Sequence, residues 1–228
     1  MKFKQVAIAA TLTAALASNA SAVIIDDTDI GSTWNAQWAA SISGENVFVT
    51  AALTLDTVVA NIWGFTVTFN NQSNAGAELA GWGFSTDPDL APGGFSLLSS
   101  PSAGWSTGSG PSGSDQNGNA LNVDYCAYAG PNCDGGGSNG FLGIGVFEFT
   151  LTFADVIGFF ELTDAYTRLQ SVGLNNGESA KLISTVPFTP QGGPPPPPPP
   201  SIPLPGSSWL VLIGLLGMVP CWRRRRNA

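Results

Sequence analysis

Histidine is absent from all 228 residues. Its absence removes the commonest general base, the commonest zinc ligand and the one side chain that titrates near neutral pH. Serine hydrolysis of the His-assisted kind goes with it, and no Gly-x-Ser-x-Gly elbow follows a clear strand. Positive charge is nearly as scarce. Between Val23 and Pro205 the only bases are Arg168 and Lys181, against all sixteen acidic residues, a balance of −14. Such a body repels nucleic acid and anionic lipid, so neither is expected as its partner. Cysteine is limited to Cys126, Cys133 and Cys221, too few for a four-ligand zinc site where no histidine helps. No window makes a convincing amphipathic helix; the best, Asp155–Leu169, mixes β-branched and aromatic residues with threonines.

What is present is strand pattern. Asn61–Phe69 puts Phe65, Val67 and Phe69 on one face and threonines on the other. Val146–Phe153 repeats the alternation, with Phe147, Phe149, Leu151 and Phe153 inward and Glu148, Thr150 and Thr152 outward. Val47–Leu55 also leans to strand, and Trp34–Ile42, Gly81–Phe84, Leu121–Tyr128, Ala165–Val172 and Ala180–Val186 are weaker candidates. Many short strands split by Gly, Asn and Ser predict an all-β fold, an antiparallel β-sandwich of jelly-roll-like kind, over residues 23–190. Ser85–Gly118, rich in Gly, Ser and Pro, reads as a long surface loop.

Two addresses bracket this body. At the front, Lys2 and Lys4 precede the apolar Val6–Ala17, and Ala20-Ser21-Ala22 offers small residues at −3 and −1. Residues 1–22 therefore read as a signal peptide cut after Ala22. Behind the body, residues 191–201 form a stalk whose seven consecutive prolines from Pro194 favour polyproline II and reach roughly 22 Å. The tail, 202–228, holds Pro203-Leu204-Pro205-Gly206, then the apolar run Trp209–Trp222, then Arg223, Arg224, Arg225 and Arg226. The run is about 21 Å long as a helix. Counted back to Ile202, the uncharged stretch meets the length a transmembrane helix needs, with Trp209 and Trp222 in the headgroup layers and the arginines stopping transfer.

The tail resembles the PEP-CTERM sorting signal of Gram-negative bacteria, with Leu204 standing where that signal has glutamate. The resemblance implies recognition by an exosortase, a membrane-embedded transpeptidase-like enzyme, and delivery to the cell surface or extracellular matrix. The implied association is with the envelope or with exopolysaccharide, without catalytic activity.

Cys126 and Cys133 bracket a six-residue Gly-Pro turn. In an oxidising compartment this even pair is expected to form a small-loop disulfide. The following Asp134–Gly140 is glycine-rich, but no lysine and helix follow to cradle phosphate. Asn122–Gly140 resembles the Cys-loop of the cistern subfamily of PEP-CTERM proteins, which carries over no catalytic residue. Among the acids, Asp26, Asp27 and Asp29 cluster, and Asp115-Gln-Asn117-Gly-Asn119 has the alternating oxygens of a calcium loop without its downstream glutamate. Turn chemistry explains both clusters first. No cofactor is expected, with calcium the one candidate ion, and no metal ligand set is assigned. Glu148 is the one tempting acid for glycoside hydrolysis. Trp34, Trp38, Trp63, Trp82 and Trp105 offer two readings: core packing, or a carbohydrate-binding surface of exposed rings.

Overall fold

A computed structural model of the chain describes residues 22–191 apart from 43, 74–75, 117, 119, 135–139, 173–177 and 185. The signal peptide up to Ser21, including Ala20, lies outside the described residues, as do the proline stalk from Gly192, the sorting motif, the apolar run with its tryptophans and the arginines. Among the described residues no helix is long and apolar enough to cross a membrane.

The described chain is all-β. In order its strands are β1 (Val23–Asp26), β2 (Thr33–Ile42), β3 (Glu45–Val59), β4 (Ile62–Asn71), β5 (Glu78–Asp87), β6 (Leu90–Ser99), β7 (Trp105–Ser109), β8 (Tyr125–Ala129), β9 (Gly143–Phe153), β10 (Phe159–Val172), β11 (Glu178–Ile183) and β12 (Val186–Pro190). One 3-10 turn, Asp27–Asp29, separates β1 from β2. The strands form two six-stranded sheets, and the pairings are antiparallel. Sheet A runs β1-β10-β5-β8-β7, with β11 also on β10; sheet B runs β12-β2-β3-β4-β9-β6.

The two inner faces share one hydrophobic cluster. Sheet B supplies Trp38, Val49, Leu53, Val67, Phe69, Phe147, Phe149 and Leu151, each at an alternate position of its strand. Sheet A supplies Ile25, Leu79, Trp82, Phe84, Phe160, Leu162 and Leu169. Trp82 sits at the centre, its ring 5.3 to 5.7 Å from those of Phe69, Phe95, Phe147 and Phe149. Edge-on and tilted aromatic pairs of this kind add about 0.5–1.5 kcal/mol each beyond the area they bury.

One expectation needs correction. Ser85–Gly118 is not a loop: it holds the end of β5, all of β6 and all of β7. Leu90 and Phe95 drive β6 into the core despite its polar composition. Gly94 lets the strand approach β9, because a Cβ there would collide with the carbonyls of Ala91 and Thr152. Asp155–Leu169 forms no helix, as expected, and its residues from Phe159 on lie in the long strand β10.

Candidate functional site

The two outer faces of the layered body differ, and each holds residues singled out above. Sheet A is covered. The described residues between Gly110 and Asp124 cross its outer face, pinned where the Ser85 hydroxyl donates to Asn122 O (2.8 Å) and accepts from Asp124 N (3.1 Å). Leu121 and Val123 close over Tyr166 to form a small second core. Gln116 extends the cover to β11, its backbone N donating to Lys181 O and its side chain to Ser179 O.

Cys126 of β8 and Cys133 are joined as a disulfide, their Cα atoms 6.3 Å apart and both residues buried. Asn132 Oδ1 accepts from Asp134 N within that turn (2.9 Å). The bridge presents Cys133 O to the Tyr166 hydroxyl, which donates to it (3.3 Å). It also places Asp134 beside Lys181, with which it forms a salt bridge. Lys181 Nζ further donates to Ser112 O. Arg168 lies directly across the β10–β11 ladder from Lys181, only 2% exposed, and its Nη2 donates to Ser179 Oγ (3.2 Å). Burial pulls the Arg168 guanidinium below its ordinary pKa, while Tyr166 and the Asp134 carboxylate pull it back. Burial likewise raises Tyr166, against Arg168 and with Asp134. The body's two cations thus stand side by side on this face, Arg168 buried and Lys181 at the rim, where Lys181 ties the Cys turn to the sheet. Sequence reasoning did not pair Arg168 with Lys181; that they are the only two bases of the body was the available signal.

The acidic candidates divide. Asp26 caps the 3-10 turn: its Oδ1 accepts from Thr28 N and Oγ1, and Asp29 Oδ2 accepts from Asp26 N. The Thr28 side-chain and backbone hydrogen bonds hold the Asp26 carboxyl below its ordinary pKa. Asp115 is buried under the cover, and its carbonyl accepts from Gly118 N; Asn117 and Asn119 lie outside the described residues. Among the described residues no three Asp, Glu or Cys side chains converge as metal ligands. Glu148 stands exposed on the outer face of sheet B, across from Thr66, whose hydroxyl donates to Asp56 (2.7 Å). Neither carboxylate sits in a closed cleft.

Exposed rings are not available at four of the five tryptophans. Trp34, Trp38, Trp63 and Trp82 are buried, because each points into the shared core; Trp38 Nε1 also donates to Ala165 O (3.2 Å). Trp105 begins β7 and is half-buried against Phe147, 4.6 Å between centroids.

Among the described residues nothing crosses sheet B's outer face. Its ladder lines up Thr33, Thr54, Thr66 and Glu148 in one row, Asn35, Ala52, Thr68 and Val146 in the next, and Gln37, Thr50, Asn70 and Ile144 in a third. One charge stands among these twelve positions. A trough of about 420 Å³ crosses the second and third rows from β4 to Thr189 of β12, floored by alanines and walled by amides and hydroxyls. Compared with protein-family models, curated proteins and solved structures, the chain matches none.

Proposed function

We propose that this chain is an exported, non-enzymatic protein of the cell surface or extracellular matrix of a Gram-negative bacterium. An exosortase recognises its tail and processes it near Pro203-Leu204-Pro205-Gly206, and the body then associates with envelope or exopolysaccharide. The carrying observation is the order at the tail: Pro-x-Pro, an apolar run between Trp209 and Trp222, then four arginines. Its context supports it, for the preceding body is acidic, disulfide-bonded and devoid of histidine. The finer form of the reading adds a jelly-roll-like winding to the two sheets and a transmembrane helix over Trp209–Trp222, holding the body outside until it is cut.

Mass spectrometry of the mature protein, from cells with and without the sorting enzyme, tests this. The expected N-terminus is Val23, and the expected C-terminus falls near the proline motif only when the enzyme is present. An intact chain in the cytosol, with both ends unprocessed, overturns the reading.

A further inference from the structure

We infer that the bare outer face of sheet B is a binding surface for a neutral polysaccharide, seated in the trough over Ala52. The inference deepens the exopolysaccharide partner proposed above and rests on that reading only for the chain's meeting a glycan at all; the site itself rests on the geometry of the face.

Four observations converge. The first is charge placement. A solvent-facing sheet surface ordinarily carries interspersed charges for solubility. Here the sixteen acids of the body stay almost wholly off the three central rows, which hold threonines, amides, alanine and two aliphatics. The second is shape. The trough, at about 420 Å³, falls in the size range of small-molecule sites. It is an open channel across four strands, β12, β2, β3 and β4, or roughly 14 Å at the usual strand spacing. An open channel accepts the interior of a polymer as well as its end.

The third is chemistry. Ala52 leaves a low apolar floor, where the C–H face of a sugar ring can rest. Asn35, Gln37, Thr50, Thr68, Asn70 and Thr189 stand around it. Amides and hydroxyls both donate and accept, as ring hydroxyls require. The fourth excludes the charged alternative. A uronate or phosphate polymer needs cations, and the body's two cations are engaged on the opposite sheet, Arg168 buried and Lys181 in an ion pair with Asp134. The carboxylates of Asp56 and Glu148, beside a second trough on the bare face, repel such polymers further. With no aromatic ring in the trough to stack on the sugar, each unit is held weakly, and avidity along the polymer supplies retention.

The test is affinity electrophoresis of the full chain, purified in detergent, through gels cast with dextran, hydroxyethyl cellulose or galactomannan, and with alginate as the anionic control. Retardation is expected in at least one neutral gel and not in alginate. Asn35→Ala with Asn70→Ala strips two walls and is expected to weaken retardation about tenfold, the effect of losing one to two hydrogen bonds; Ala52→Leu fills the floor sterically and is expected to weaken it as well. All these side chains point outward, so circular dichroism and melting temperature should match the parent chain. No retardation in any neutral gel overturns the inference, as does retardation in alginate alone, or retardation unchanged in both variants. If the tail proves unprocessed while neutral-gel retardation persists, only the sorting reading falls.

Discussion

The two outer faces of this body are built from sheets of equal strand number and put to opposite uses. Sheet A has its outer face closed by the described part of the Gly110–Asp124 crossing and the Cys126–Cys133 turn, and β5 and the Ala165–Gln170 half of β10 run buried on both sides. Sheet B leaves its outer face open, and β3, β4 and β9 alternate buried with half-buried or exposed residues along most of their length. The covered face holds the disulfide, the buried tyrosine and both cations; the bare one holds neutral hydrogen-bonding groups. The cross-link and the second small core both lie where the sheet is roofed.

Substitutions can break that contrast, and the largest loss belongs under the roof. Tyr166→Ala removes the ring that Leu121 and Val123 close over and the hydroxyl that holds Cys133. It should cost about 3–5 kcal/mol, as large aromatic deletions from packed sites do, measured by urea unfolding. Next comes the bridge. Cys126→Ser with Cys133→Ser should lower stability by about 2–3 kcal/mol, the scale for a short loop; an unchanged unfolding midpoint would show that the roof holds without it.

A pH titration sharpens the contrast further. Burial raises the Tyr166 pKa above the ordinary tyrosine value, so the fold favours its neutral form. The associated stability is complete below about pH 10 and is lost as pH climbs past that toward the folded value. Melting temperatures should fall above about pH 10, and Tyr166→Phe should flatten part of that fall. Burial raises Tyr125 in the same direction, so a residual slope should survive in the phenylalanine variant. The smallest effect is reserved for the bare face, where Thr68→Ala should shift stability by no more than about 0.5 kcal/mol.

The same contrast explains what could be read from the chain beforehand. Strands β4 and β9 are legible because one side faces water and every second residue is apolar. Strand β10 is legible only weakly and in its second half, Ala165–Val172, since Tyr166, Thr167, Arg168 and Leu169 are buried in succession and leave no period of two. Strand β6 hides behind Pro92, Gly93 and Gly94, with Leu90 and Phe95 as its only fully buried large apolar anchors. The disulfide was visible from two cysteines and a turn. The Arg168–Lys181–Asp134 knot was invisible, because it joins three strands' worth of chain through side chains whose partners are set by the β10–β11 register. The trough escaped notice for the same reason: its walls come from four strands, and no stretch of sequence holds more than two of them.

One pairing sets the order in which the molecule can be assembled. Val23 of β1 lies against Leu162 of β10, near the far end of the body. The β2–β3–β4 meander zips from neighbours, whereas sheet A must await nearly the whole polypeptide before its first strand has anywhere to lie. Distant pairings of this sort are slow to form. A growing copy can therefore complete the β2–β3–β4 hairpins while the edge strand of sheet A still waits for its partner.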